Sequence, residues 1–407
     1  MNLSGNPTEG ARWFPAYSAL RPPNRCGEGR AIVGTNAIDL KKTPLSNLHE
    51  MLGGKMVEFA GYWMPLQYPT GILREHLHTR SAASLFDVSH MGQIALRGDD
   101  PARALETLVA GDLIGLAPGR MRYTFLTNTE GGILDDLIVT NVGDYLFLVV
   151  NGSRKSADVE YLRQNLPAGI EVEVLAERGL IALQGPKAAS VISKFAPGAE
   201  SMQFMTAQPF EIDGSPVALT RSGYTGEDGY EISIPSADVG SITECILAEK
   251  EVEPAGLGAR DSLRLEAGLC LYGQDIDETT TPVEAALTWS ISKRRRIEGG
   301  FPGAQAVQRQ IAEGVDRMRV GIVPDGKAPA RQGTNITNEK GKSIGIVTSG
   351  GYGPSFGGPV AMGYVDARYA LKGKHLTLMV RGRPHPGRVV DIPLVPNRYY
   401  RAEEQTI

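Results

Sequence analysis

Gly131-Gly-Ile-Leu-Asp135-Asp136-Leu-Ile-Val-Thr-Asn141-Val-Gly-Asp144-Tyr-Leu-Phe-Leu-Val-Val150 holds two β-type runs, 133–140 and 145–150, joined by a four-residue turn signal. Gly and Asn in so short a connection suit a hairpin, so the two runs read as antiparallel neighbours. Upstream, 93–96 and 123–127 carry the same β character, and 102–110, 154–166, 187–195, 239–249 and 260–267 carry helical patterns. Strands and helices interleave without a steady βαβ repeat, which makes the class α+β. Beyond residue 313 the texture changes. Short β runs at 318–323, 345–348, 360–365, 376–380 and 388–390, spaced by Gly and Pro, predict a small C-terminal barrel or sandwich. The cut falls at 313–317, giving an α+β core over 41–315 and an all-β unit over 316–402. Residues 1–40, with Pro7, Pro15, Pro22 and Pro23 and no sustained apolar period, read as a poorly structured extension.

Composition narrows the function classes. The chain has 407 residues, which at roughly 150 per domain is two or three domains. It carries 42 basic and 46 acidic side chains for a net charge of −4, against a globally basic surface for nucleic acid. Cys26, Cys245 and Cys270 are far apart and form no CxxC pair, so a reducing compartment is expected. No run approaches the roughly 20 apolar residues of a membrane span. The expected protein is soluble, intracellular and cytoplasmic. Arg12, Arg21, Arg25 and Arg30 invite a mitochondrial transit-peptide reading, against which stand Glu9 and Glu28.

No phosphate loop, dinucleotide fingerprint, HExxH or G-x-S-x-G elbow is present, and the six histidines have no zinc-type spacing. The glycine-rich 349–358 stretch reads as a flexible loop. Three polar constellations remain. In 133–139, Asp135 and Asp136 point to opposite faces of a strand, so one of them must enter a covered environment. It either acts as a catalytic carboxyl, caps the Gly-Gly turn or pairs with an arginine. In Gly223-Tyr-Thr-Gly-Glu-Asp-Gly-Tyr-Glu231, the Glu231 carboxylate suits two adjacent N–H donors, as an aminopyrimidine offers, or an internal salt bridge to Arg260 or Arg264. In Gly258-Ala-Arg-Asp-Ser-Leu-Arg-Leu-Glu266, Arg260 and Arg264 lie four apart on one helical face, able to clamp a carboxylate or to pair with Asp261 or Glu266. The basic run Lys293-Arg294-Arg295-Arg296 is a solvated loop or a steering patch for an acidic partner.

These segments, with Phe59-Ala-Gly-Tyr-Trp-Met-Pro-Leu-Gln-Tyr68, Phe86-Asp-Val-Ser-His-Met-Gly92, Thr281-Pro-Val-Glu284 and Val395-Pro-Asn-Arg-Tyr-Tyr400, closely resemble the T-protein family of the glycine cleavage system. The matching motifs run in family order from about residue 43 to 400. The resemblance implies a three-domain cloverleaf around a central folate channel. It also implies a tetrahydrofolate-dependent aminomethyltransferase that takes its carbon from the lipoyl arm of H-protein and needs no metal. The essential aspartate falls on Asp136, with Asp135 structural. Folate contacts fall on Glu231, Arg260 and Tyr399, and Met64, Tyr123, Asn151 and Tyr224 match channel-lining positions. The 293–296 run would then help dock an acidic H-protein. A related tetrahydrofolate-dependent demethylase and a non-catalytic folate-binding protein are the rival readings.

Overall fold

The computed structural model describes residues 40–401. The expected extension, the transit-peptide reading and Cys26 lie outside the described residues. Twenty strands and nine α-helices are seen among those residues, and all but two strand pairings are antiparallel. The hairpin read from the sequence is present. Strands Ile133–Asn141 and Leu146–Val150 pair antiparallel with Asn141 opposite Leu146. They belong to a five-stranded sheet in the order Met121–Thr127, Ile133–Asn141, Leu146–Val150, Gly92–Arg97, Glu171–Val174. A six-stranded sheet runs Thr206–Ile212, Ser215–Arg221, Gly229–Pro235, Arg178–Gln184, Ala83–Asp87, Val252–Pro254.

Each sheet buries its own apolar face. Ile94, Leu96, Leu126, Val139 and Leu148 centre one core. Leu85, Ile181, Leu219 and Ile232 centre the other. Helix Lys155–Asn165 covers the first core with Leu162, and helix Val239–Leu247 covers the second with Ile242 and Ile246. The β-rich end closes into a six-stranded barrel that begins at Arg317, packed around Ile322, Ile336, Val347 and Leu378. Three cores thus stand side by side, in line with the α+β class and the three-part architecture expected.

The glycine-rich stretch is not a flexible loop. Ser349 to Gly353 continue strand Ser343–Gly353, which pairs with Gly358–Asp366 up to Gly353 opposite Gly358. The glycines answer to close approach: a Cβ on Gly350 would sit 1.9 Å from the Ala330 carbonyl oxygen. Ser349 also ties the barrel to helix Leu257–Glu266. Its hydroxyl accepts from Arg264 Nη2 at 2.9 Å and donates to Asp275 at 2.8 Å. Arg264 is 1% exposed and donates to Asp275 at 2.7 Å, so this ion pair is fully out of water. Removing one partner of such a pair strands the other charge. Arg264→Met is therefore expected to cost about 3–5 kcal/mol of stability by chemical denaturation. A loss below ~1 kcal/mol would contradict this role.

Candidate active site

A cavity of about 1240 Å³ opens where the two sheets and the barrel meet. Its wall takes Tyr123 and Asp136 from the five-stranded sheet, Glu231 from the six-stranded one with Ser222 just past its strand Ser215–Arg221, and Arg319 and Gly321 from the barrel. Helix Leu257–Glu266 contributes Arg260.

Asp136 is held by local register. Strand Leu146–Val150 pairs with Ile133–Asn141 only as far as Ile138 opposite Val149. Continuing that register brings Asn151 level with Asp136, where the ladder has stopped. The Asn151 side-chain amide donates to Asp136 Oδ1 at 2.8 Å and to Asp135 Oδ1 at 2.9 Å, and its backbone N–H to Asp135 Oδ2 at 3.1 Å. From the other neighbour, Tyr123 donates its hydroxyl to Asp136 Oδ2 at 2.9 Å. Asp135 faces the core and is 0% exposed, whereas Asp136 lines the cavity. Neither carboxyl pairs with an arginine among the described residues, and neither caps the Gly-Gly turn. The turn is held by Asn128, whose Oδ1 accepts from the Glu130 and Gly132 backbone N–H groups. Burial, then repulsion from Asp135, push the Asp136 carboxyl up to about 7 against the hydrogen bonds from Tyr123 and Asn151.

Opposite, Glu231 accepts from the Ser222 hydroxyl at 3.1 Å. Burial raises its carboxyl and the Arg260 charge lowers it. The internal salt bridge does not form. Arg264 is engaged by Asp261 and Asp275, and Arg260 makes no ion pair among the described residues, lying instead over the Tyr224 ring at 4.6 Å. Glu231 and Arg260 both remain open to the cavity. Tyr224 donates its hydroxyl to the Cys270 carbonyl. Tyr399 reaches the wall from the chain that follows the barrel and stacks on Phe204, with centroids 4.0 Å apart. Burial pushes its phenol up to about 12.

Seven of the eight site residues read from the sequence therefore line one cavity. Met64 is the exception. It is 0% exposed and absent from the cavity wall, because its side chain packs into the interior from strand Tyr62–Gln67. The 293–296 run is also different from expectation. It lies in helix Lys293–Glu298, and its arginines turn inward. Arg294 pairs with Glu106 and Asp112, while Arg295 donates to the Glu106 and Val109 carbonyls and Arg296 to Ile291 and Thr288. Acids thus meet Arg294 and, at 3.5 Å, Arg295, Arg296 is spent on backbone carbonyls, and only Lys293 of the four is exposed.

Sequence reasoning missed other parts of the wall. Trp289, 67% exposed, stacks on Tyr123 at 5.8 Å. His90 lies in the quoted 86–92 motif; burial, then the Arg260 charge, lower its imidazole to about 4, so it is neutral. Phe204 carries no pattern in its own segment that would have marked it.

The chain belongs to the glycine cleavage T-protein family. Residues 45–295 match the GCVT N-terminal domain and 317–396 the glycine cleavage T-protein C-terminal barrel domain. It is 46% identical over 393 residues to the mitochondrial aminomethyltransferase of Gallus gallus, covering 94% of this chain and 100% of that one. It is 43% identical over 379 residues to that of Dictyostelium discoideum, covering 89% and 94%. The crystal structure of glycine cleavage system aminomethyltransferase T from Bartonella henselae superposes with a TM-score of 0.85 at 44% identity, covering 89% of this chain and 100% of that chain. Both named relatives are mitochondrial, so the cytoplasmic expectation finds no support among them.

The raised Asp136 carboxyl has a consequence for stability. It contributes most below the unfolded value of 3.8, where both states are protonated, and that contribution is lost as pH rises through about 7. Asp136→Asn, which cannot ionise, is expected to melt higher than wild type at about pH 8, with a smaller gain at about pH 5. Equal gains at both pH values, or none at either, would contradict the assignment.

Proposed function

We propose that the chain is an aminomethyltransferase of the glycine cleavage system. It moves the methylene carbon from the aminomethyl-lipoyl arm of H-protein to tetrahydrofolate, giving 5,10-methylenetetrahydrofolate, ammonia and the dihydrolipoyl arm. The observation that carries the reading is Asp136, a carboxyl poised near neutral pH in a cavity large enough for two reactants, within a chain whose relatives are aminomethyltransferases over nearly their whole length. Typical single-ligand sites are roughly 300–1,000 Å³, and this one exceeds them.

The chemistry needs a group that both takes and gives a proton. Two folate N–H protons must leave as the new C–N bonds form, one ending on the departing nitrogen and one on the sulfur. A carboxyl near 7 populates both forms at working pH, the condition that favours acid–base catalysis. Tyr123 and Asn151 fix its two oxygens, so its orientation does not change as its charge does. Across the cavity, Glu231 would accept from the aminopyrimidine N–H edge and Arg260 would donate beside it. Tyr399, on its Phe204 stack, would cover the ligand from the third side. Residues 41–315 would hold folate and 316–402 would close the site. The relatives' names support a mitochondrial address over a cytoplasmic one.

The test is methylenetetrahydrofolate formation from aminomethylated H-protein and tetrahydrofolate. Asp136→Ala is expected to lose ~10² or more in kcat/KM, the scale of a positioned acid–base group. Wild-type activity with no such loss would remove Asp136 from the role. Turnover of an N-methyl substrate without H-protein would favour a demethylase instead.

A further inference from the structure

Behind Asp136 lies a second pair of acids that the reading above leaves unused. Asp135 is 0% exposed, and Asp158, in the first turn of helix Lys155–Asn165, is 1% exposed. The two carboxyls meet within hydrogen-bonding reach. Asp158 Oδ2 is sealed from solvent and meets no hydrogen-bond donor among the described residues. Two carboxylates in contact, away from water, cannot both ionise, so one proton must lie between them.

The surrounding charges relieve this only in part, through Arg154 acting on Asp158. On Asp135's own strand the neighbour is Asp136, itself an acid. From helix Lys155–Asn165 comes Asp158, preceded by Arg154, the nearby cation, which is already paired with Glu278 at 3.3 Å and lies over the Tyr272 ring. From the segment after the core helix, Tyr272 donates to the Ile133 carbonyl, not to a carboxyl. Asp136 faces Tyr123, Tyr224 and Cys270, none of them cationic. Among the described residues Asn151 hydrogen-bonds both acids of the strand and so links the hidden pair to the cavity.

We propose that Asp135 and Asp158 share a single proton, and that the one negative charge they retain, coupled through Asn151, sets the pH at which Asp136 exchanges its own. Asp135 and Asp158 are positioning residues and touch no substrate. Burial raises both carboxyls; the Asp158 charge and hydrogen bond raise Asp135 further, while the hydrogen bond from Asp135 lowers Asp158, the split expected where the proton sits on Asp135 and is shared with Asp158. The inference rests on Asp136 being the acid–base group.

The test is the pH profile of kcat/KM in wild type, Asp135→Asn, the double variant D135N/D158N and Asp136→Asn. Removing the pair's charge relieves repulsion on Asp136, so the acid limb moves to lower pH, least in Asp135→Asn and by about one pH unit in the double variant. A purely structural pair would lower the plateau and leave the limb in place, which overturns the proposal. Asp136→Asn separates the two failures. If the wild-type limb survives in that variant, the limb is not Asp136 and the site reading itself falls. Should the Asp135 and Asp158 variants not fold, ¹³C-aspartate NMR of the wild-type chain decides. A buried aspartate other than Asp136, identified with Asp136→Asn, that is still protonated at about pH 6 is expected. Ordinary titration of every remaining aspartate overturns the proposal.

Discussion

A carboxyl taken out of water resists ionising, and the site is organised around that resistance. Asp136 could have been left in solvent, where it would be a carboxylate at any physiological pH. Its strand instead carries it into the wall of a deep cavity, with another acid directly behind it. The hydrogen bonds from Tyr123 and Asn151 return part of the lost hydration without supplying a positive charge. The outcome is a group near 7, which neither full exposure nor an arginine partner would give. Arg260, the cation on the cavity wall beside Glu231, serves that carboxylate and not Asp136.

That arrangement needs walls that do not yield. The cavity lies between three cores, and the ties between them are buried ionic groups. Arg80 donates to Glu227 at 2.7 Å and to Glu266 at 3.0 Å, and Arg398, beyond the barrel, reaches the same Glu227. Burial alone would raise the Glu266 carboxyl, yet the His76 hydrogen bond and charge, the Phe356 backbone N–H and Arg80 hold it down to about 2. The segment that delivers Tyr399 is fixed by Leu394 and Val395 N–H bonds to the Glu266 carbonyl and by Arg398 N–H to Gly226. Groups so paired are costly to pull apart singly, which keeps the ligand-facing residues in register.

Much of this was legible in the sequence, and the exceptions share a cause. The 133–150 hairpin was readable because turn chemistry and strand period are local. The Asp135–Asp136 pair, Glu231 and Arg260 stood out because each is a charge set in an otherwise apolar or tightly turned segment, but the choice of Asp136 within its pair came from the family resemblance. Asp158 could have been found the same way, since it precedes Leu162 by one helical turn on the buried face. The arginines of 293–296 were visible as charge, but the distant acids on Arg294, Glu106 and Asp112, were not, because Glu106 lies 188 residues and Asp112 182 residues from it. Phe204 and Trp289 matter only through rings that arrive from elsewhere, Tyr399 and Tyr123. Gly350 looked like freedom and is in fact crowding, set by a carbonyl at Ala330. Met64 failed in the reverse sense: a motif position is not yet a direction for a side chain.

The central claim is that this cavity is a folate site with Asp136 at its reactive end. The most direct measurement is a crystal structure of the wild-type chain with tetrahydrofolate bound. The account predicts the pterin ring between Asp136 and Glu231, its N–H edge on the Glu231 carboxylate, Arg260 beside it and Tyr399 against the ligand. A pterin bound elsewhere, or bound with Asp136 out of reach of the folate nitrogens, would contradict it.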